Sequence, residues 1–177
     1  MTPEQLKVKI YDWIKNITSY DDEKIFWVFQ KMPTPYAKFI TLNILDITDK
    51  TPFNAKNYKN DGTIEVLTNM LVNLSINFYG EGSELDALLV WKSLKTDSTK
   101  QFFGLDVGYS KPSELRNLSY FDEDNQEPII RNQFDIKFNI IQLDTDDTGY
   151  FDKVILNGYI QEEKPENLFY NETLPNP

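Results

Sequence analysis

A long alternation of apolar and polar residues, from Ile64 to Tyr79, constrains the fold of this chain more than any other feature. Its even-numbered positions are nearly all apolar, and its odd-numbered positions are mostly polar or mixed. This two-residue period predicts a β-strand with one face on a core and one face partly in water. At ~3.3 Å per residue the strand would span about 50 Å, several times the usual length. In a chain of 177 residues such a strand must bend at a bulge or project beyond its own domain, as strands of self-assembling proteins do.

A second long strand is predicted from Glu127 to Asp144. Its period slips by one residue at Ile140-Ile141, which is the expected trace of a β-bulge or of a change of neighbouring strand. Shorter strands are predicted from Phe39 to Ile47 and from Lys153 to Ile160. The acidic segment from Asp144 to Gly149 is predicted to turn the chain between the last two strands.

Three helices are predicted between these strands. Thr2-Pro3-Glu4-Gln5 fits a capping box with proline in the first turn, and an apolar stripe follows it, formed by Leu6, Ile10, Trp13, Ile14 and Ile17. Ser83 is predicted to cap a second helix, whose buried face would consist of Leu85, Leu88, Trp91 and Leu94, with Leu89 alongside. A short third helix from Thr99 to Phe103 would end at Gly104.

This order of elements predicts an α+β fold, in which an antiparallel sheet with two long strands carries helices packed on one face. One domain is expected over residues 1–160. Residues 49–62 contain little to bury and are predicted to form an extended hairpin arm. The arm is a candidate subunit interface, through Phe53, Asn54, Lys56, Tyr58 and Lys59. Residues 161–177 are expected to form a loosely ordered C-terminal tail.

The composition excludes several classes of function. The net charge is −10, with 18 basic residues scattered among 28 acidic ones, so clustered lysines and arginines for gripping nucleic acid are missing. Attraction to an anionic membrane surface is unlikely for the same reason. An acidic surface past which DNA slides without sticking remains compatible with this charge. We therefore expect no sequence-specific nucleic-acid binding and no membrane partner.

The chain contains neither cysteine nor histidine, which excludes disulfides, thiol nucleophiles, Cys/His zinc sites and imidazole acid–base catalysis. The acidic segment at residues 144–149 begins like a calcium loop, but Thr148 stands where the motif has Asp or Asn, and Ile155 stands where it needs a bidentate Glu. No catalytic residue, cofactor or metal is therefore expected. Two acidic segments remain as candidate lumen-facing or partner-facing loops, formed by Asp122, Glu123, Asp124, Asp144, Asp146 and Asp147.

The N-terminal residues carry no basic segment followed by an apolar core, so no signal peptide is expected. No apolar run approaches the ~20 residues of a membrane span. These observations predict a soluble protein made in the cytoplasm.

Several stretches resemble the tail-terminator or neck-terminator proteins of tailed bacteriophages. Pro33-Thr34-Pro35-Tyr36 opens the strand predicted from Phe39 to Ile47. The long strand that follows ends in Tyr79-Gly80, just before the leucine-rich helix from Glu84 to Leu94. Phe103-Gly104-Leu105 leads into a short strand and then to the segment from Ser113 to Ser119. The last match is the start of the final long strand, with Glu127, Arg131, Phe134 and Asp135. The resemblance runs from about Leu6 to Ile160.

The resemblance implies a structural protein of the virion, made in the host bacterial cytoplasm. It implies a ring, usually hexameric, that caps the finished tail tube and joins the tail to the head-completion complex, while DNA passes through its lumen. The expected partners are copies of this chain, the tail tube protein and the head-completion or stopper protein. Ring closure needs a heterologous interface, to which the long strands and the arm could contribute.

Two other readings stay open at the level of sequence. A head–tail stopper or adaptor of the same neck region would share this architecture and acidity. An acidic cytoplasmic inhibitor or immunity-type protein that docks on a basic partner would also lack catalytic residues.

Overall fold

The computed structural model describes residues 1–28, 38–51, 56–59, 63–123, 126–147, 155–160 and 168–173. The Pro33–Tyr36 segment, Phe53, Asn54 and Asp124 lie outside this part, as do the side chains of Tyr58, Asp146 and Asp147. The chain divides into two compact units. The larger comprises residues 1–55 and 67–144, and the smaller comprises residues 56–66 and 145–177.

The first helix of the larger unit, α1 (Pro3–Thr18), forms as its sequence predicts. The side chain of Thr2 accepts a hydrogen bond from the Gln5 backbone, and the Gln5 side chain accepts one from the Thr2 backbone, which completes the capping box. The helix ends where Ser19 adopts a left-handed conformation with φ 56°. Its buried face is formed by Leu6, Ile10, Trp13 and Ile14. A short 3-10 turn (Asp22–Lys24) follows.

The main sheet of the described residues runs in the order β1 (Ile25–Trp27), β2 (Phe39–Asp49), β4 (Thr63–Tyr79), β9 (Arg131–Asp147) and β5 (Val107–Tyr109). Strand β6 (Arg116–Asn117) also pairs with β9. Strands β2 and β4 are antiparallel, as are β5 and β9, whereas the short strand β1 runs parallel to β2. The sheet is therefore mixed, with mainly antiparallel pairing.

Strand β4 confirms the alternation from which the long strand was predicted. Its even-numbered residues from Val72 to Phe78 are buried and pack in the same core as Ile40 and Leu42 of β2. The even-numbered residues of β9 from Phe134 to Ile140 belong to that core too. A register shift between Ile44 and Asp46 interrupts the pairing of β2 with β4. The bulge that the length of β4 predicted thus lies in the neighbouring strand β2, which pairs with β4.

Helices α2 (Ser83–Ser93) and α3 (Asp97–Phe103) complete the larger unit. The predicted capping role of Ser83 is wrong, because Gly82 is the N-cap and the Ser83 hydroxyl lies within hydrogen-bond distance of the Phe78 carbonyl and the Asn132 amide. The predicted buried face is also largely wrong. Leu85 and Leu89 are exposed and Leu88 and Trp91 are half-buried, and the helix buries Ser83, Ala87, Val90 and Ser93 instead. Of the predicted face only Leu94, just beyond the helix, is fully buried.

The predicted strand from Glu127 to Asp144 is two strands rather than one. Strand β8 (Glu127–Ile129) pairs with β7 (Tyr120–Asp122) in a separate two-stranded ladder, and β9 begins at Arg131. Between them the Ile130 carbonyl accepts a hydrogen bond from the Gly80 backbone at 3.1 Å, so the chain changes partner at that residue. Strand β9 extends to Asp147, so Asp144, Asp146 and Asp147 lie in a strand and not in the predicted turn.

The smaller unit contains two ladders. Strand β3 (Lys56–Tyr58), within the predicted arm, pairs antiparallel with Ile64–Val66, the first part of β4. Lys59 Nζ lies 2.5 Å from the Glu65 carboxylate. Strands β10 (Ile155–Ile160) and β11 (Leu168–Thr173) form the other antiparallel pair. Strand β11 falls within the segment that was expected to be a loosely ordered tail. The boundary at residue 160 stays a prediction.

The α+β class is confirmed, with the helices on one face of a mainly antiparallel sheet that contains two long strands. None of the described helices is both long and apolar enough to cross a lipid bilayer.

Candidate assembly surfaces

The sheet face opposite the core carries a network of polar side chains in the larger unit. The Arg131 guanidinium donates to Asn77 Oδ1 from Nη2 at 2.8 Å and from Nε at 3.1 Å. Gln133 Nε2 donates to Ser75 Oγ at 2.8 Å, and Arg116 pairs with Asp135. These bonds link strands β4, β6 and β9 and satisfy the buried polar side chains of Ser75 and Asn77. The face is therefore a rigid polar surface.

A stack of aromatic rings continues this face toward the other edge of the sheet. Phe26 and Phe39 stack at 5.5 Å between ring centroids, and Phe39 and Tyr79 stack at 4.5 Å. The Arg131 guanidinium lies 5.8 Å from the Tyr79 ring centroid. All four side chains are half-buried. The stack crosses strands β1, β2, β4 and β9 and holds them in register.

The far ends of strands β2, β4 and β9 expose apolar side chains on both faces of the sheet, and we call these strand ends the distal surface. Its side chains come from strands β2, β4 and β9 and are exposed: Leu45, Ile47, Leu67, Ile141 and Leu143. Ile140 is fully buried while its neighbour Ile141 is exposed, so the predicted slip of period marks the strand position where the second face becomes apolar. Several exposed apolar side chains at one end of a sheet make that end a candidate protein–protein contact site.

Two further apolar surfaces lie elsewhere in the larger unit. Tyr120 and Phe121 in the β7–β8 hairpin are each 56% exposed. Leu85 and Leu89 on the outer side of α2 are 67% and 50% exposed. Sequence reasoning missed the α2 surface, because the leucines of α2 were assigned to the core. It indicated the hairpin surface only in part: Tyr120, as an aromatic residue in a predicted loop, is a candidate interface anchor, but the hairpin itself was taken as an acidic loop joined to a long strand. The signal for the helix was a competing stripe of smaller residues, formed by Ser83, Ala87, Val90 and Ser93.

The acidic candidates divide between two places. Asp122 is half-buried at the end of β7 and Glu123 is exposed in the hairpin turn. Asp144 is exposed on β9, where its carboxylate accepts hydrogen bonds from the Gln142 amide at 2.9 and 3.1 Å. Within the described part of the chain, no group of three acidic side chains is arranged to hold a metal ion.

A carboxylate cluster at the end of α1 borders an open groove of about 710 Å³ lined by Lys15, Asn16, Ser19, Tyr20, Asp21, Asp22 and Glu23. Hydrogen bonds from Lys15 and then Tyr11 lower the pKa of Asp22. A catalytic acid needs a raised pKa, so this shift has the opposite direction to that of a general acid. The Tyr20 hydroxyl donates to Asp86 at 2.7 Å, and burial followed by this bond raises the pKa of Tyr20. The Asp22 contacts attach α1 to the following 3-10 turn, and the Tyr20 bond attaches the segment after α1 to α2, so these perturbed groups stabilise the fold.

The geometry defines an α+β protein whose distinctive surfaces are apolar and suited to contact with other proteins. A model of one family, described as phage neck terminator protein, matches residues 4–163. The chain belongs to that family. The family is one of terminator proteins of the phage tail and neck, which are structural proteins.

A solved structure supports the fold. The chain is similar to the sheath/tube terminator of an extracellular contractile injection system, PVC, determined in the extended state by cryo-EM. The TM-score is 0.54 at 10% sequence identity, over 94% of this chain and 66% of that chain. At this identity the similarity shows a shared fold, and this chain spans less than two thirds of its relative's length. A search of curated proteins finds no significant match.

Proposed function

We propose that this protein forms a closed ring at the head-proximal end of the phage tail, most simply a hexamer. The ring stops polymerisation of the tail tube and joins the tail to the head-completion complex, and DNA passes through its lumen. The observation that carries this proposal is the match to the neck terminator family over residues 4–163, which spans the main sheet and, apart from Pro3, the three helices of the described residues. The match favours this role over the inhibitor reading of the sequence.

The distal surface supports a role in assembly. Leu45 and Ile47 of β2 and Ile141 and Leu143 of β9 keep their side chains in water, although burying one such side chain would gain about 1.5–3 kcal/mol. A subunit that docks these strand ends on a neighbour or on the tube would recover that free energy. The predicted arm, through Phe53, Asn54, Lys56, Tyr58 and Lys59, is proposed as a second contact.

The charge of the chain supports passage of DNA without trapping. A net charge of −10 on each subunit gives a ring a strongly negative field, and a negative channel repels phosphate groups. We propose that the acidic residues Asp122, Glu123, Asp124, Asp144, Asp146 and Asp147 face the lumen or a neck partner. Synthesis in the host cytoplasm and contact with a stopper protein belong to the same proposal.

The proposal is tested by polymerising the cognate tail tube protein in the presence and absence of this chain. We expect short tubes of uniform length with a ring at one end, seen by negative-stain electron microscopy. A variant with Ile141→Lys and Leu143→Lys should lose this effect, whereas Val8→Lys, an equally exposed apolar position on α1, should retain it. Tubes that elongate unchanged and carry no ring would contradict the proposed function.

A further inference from the structure

The β7–β8 hairpin presents aromatic side chains that nothing in the described part of its own chain covers. Strands β7 and β8 pair only with each other, at Tyr120–Ile129, Phe121–Pro128 and Asp122–Glu127. An isolated two-stranded hairpin is marginally stable in water, and aromatic side chains are enriched where proteins bind one another. Tyr120 and Phe121 are both more than half exposed. The hairpin therefore has the features of a docking element.

The outer side of α2 presents a complementary stripe. Leu85, Leu89 and Lys92 are exposed and follow one another at helical spacing, so they lie on one face of the helix. Lys95 lies just beyond the helix, with its ammonium 4.0 Å from the Trp91 ring centroid. The stripe is thus apolar in its first turns and basic at its C-terminal end.

The two surfaces also match in charge. Glu123 and Glu127 flank the turn of the hairpin and are exposed, while Lys92 and Lys95 mark the basic end of the stripe. Among the described residues, none of these four side chains takes part in a salt bridge. The aromatic residues and the leucines are all exposed in one chain, so the hairpin does not cover the stripe of its own α2.

We propose that the β7–β8 hairpin of one subunit docks on the α2 stripe of the next copy of this chain. Tyr120 or Phe121 packs on Leu85 and Leu89, and Glu123 and Glu127 lie near Lys92 and Lys95. Because the contact joins two different surfaces, it is heterologous and repeats around a ring. This inference rests on the proposed ring and adds the residues that join its subunits.

The absence of cysteine from the chain permits a direct test by disulfide crosslinking. Three single-cysteine variants, Tyr120→Cys, Phe121→Cys and Leu89→Cys, are prepared in the full-length protein. Residues 120 and 121 point to opposite faces of the hairpin, so one of the two hairpin variants should crosslink with the Leu89 variant under mild oxidation. Each variant alone should stay monomeric on non-reducing gels. A chain that carries both cysteines should give a ladder of oligomers that ends at the closed ring.

The matched control is Leu105→Cys, a fully exposed apolar position outside both surfaces. Neither hairpin variant should crosslink with it above background. Crosslinking that is equal for the Leu89 and Leu105 variants would overturn the proposal, and so would efficient linkage of a hairpin variant to itself. Oxidation traps even weak contacts at high protein concentration. The crosslinking result therefore decides the proposal even when the wild-type protein is monomeric in solution.

Charge reversal tests the assignment of the acidic and basic ends. Glu123→Lys with Glu127→Lys on the hairpin partner should lower the crosslinking yield about five- to tenfold, since like charges then face each other. Lys92→Glu with Lys95→Glu on the other partner should restore the yield. An unaffected yield in the mismatched pair would contradict the proposed orientation.

The tube assay separates this interface from the proposed function. If tubes are capped while no hairpin variant crosslinks with the Leu89 variant, the terminator role stands and the interface is wrong. If the crosslinks form while tubes elongate unchanged, the interface stands and the proposed function fails.

Discussion

Helices α1 and α2 pack on the same core, but they bury side chains of different size. In α1 the largest apolar residues, among them Trp13 and Ile10, form the buried stripe. In α2 the buried stripe consists of small residues, with Ala87 and Val90 at its centre, and the leucines point outward. The spacing of large apolar residues predicts the buried face of α1 correctly and that of α2 wrongly.

This difference shows that one helix can carry two stripes of apolar residues, one packed in the core of the subunit and one exposed on its surface. Ala87 and Val90 present little volume, which lets the α2 backbone come close to its neighbours. Leu85 and Leu89 add no packing to the core of their own chain. Residues with no role in the fold of the subunit are available for contacts between subunits. The comparison of the two helices therefore distinguishes the residues that stabilise the subunit from those proposed to join subunits.

Replacement of Trp13 by alanine should have the largest effect on stability. The Trp13 ring is almost fully buried, with its centroid 5.5 Å from that of Phe103 on α3, so truncation leaves a large cavity between helices. The free energy of unfolding should fall by about 3–5 kcal/mol. Urea denaturation of Trp13→Ala and of Val8→Ala, an exposed control on the same helix, measures the difference. Equal losses would show that burial does not distinguish the two sides of α1.

Enlargement of Ala87 to leucine tests the small-residue stripe of α2. Ala87 is fully buried, so the added atoms should strain the core and lower the free energy of unfolding by about 1–3 kcal/mol. The control is Glu84→Leu on an exposed position of the same helix, where the effect should stay within about 0.5 kcal/mol. A stabilising effect of Ala87→Leu would mean that the core has room for a larger side chain beside α2. Helices α1 and α2 would then differ in the residues that they bury, but not in how tightly those residues are packed.

A pH dependence tests how α1 is anchored at its C-terminal half. The Tyr11 hydroxyl donates to Asp22 Oδ1 at 2.8 Å, and burial followed by this bond raises the pKa of Tyr11 from 10.0 to about 12. A pKa that is raised in the folded state gives a stabilisation that is complete below pH 10 and is lost as the pH rises toward 12.

Wild type and Tyr11→Phe should therefore converge in stability over that window, when urea denaturation is measured at a series of pH values. Phenylalanine has no proton to lose, which isolates this contribution from the titration of lysines. A constant difference between the two proteins up to pH 12 would show that the phenol titrates as in the unfolded chain.

Local sequence patterns predicted the parts of the fold that are decided locally. The capping box at Thr2 and Gln5 and the long alternation in β4 depend on neighbours in sequence, and both are confirmed. The break between β8 and β9 depends on a distant bond from Gly80 to Ile130, which no local period reports. The face of α2 that packs in the core likewise depends on the residues that lie opposite it in the fold. The size of its apolar side chains was a misleading guide to that face.

The same limit applies to the assembly surfaces. The slip at Ile140-Ile141 was visible in the sequence and marks the distal surface, whereas Tyr120 gave only the weak signal of a loop aromatic and Phe121 gave none. The acidic residues were a poor guide to the position of the turn, because Asp144, Asp146 and Asp147 continue strand β9. The roles of these acidic residues and of the arm stay predictions.

The smallest effect on stability should accompany a large effect on assembly. Leu85→Gln and Leu89→Gln replace exposed leucines by a residue of nearly equal helix propensity, so the free energy of unfolding should change by less than about 0.5 kcal/mol. If α2 carries an assembly stripe, the same variant should lose higher oligomers in light scattering or lose its ring on tail tubes. Val8→Gln on α1 removes an equally exposed apolar side chain, 62% accessible, and should retain them. Loss of stability without loss of assembly would reverse the roles assigned to the two stripes of α2, because the leucines would then serve the subunit's own fold.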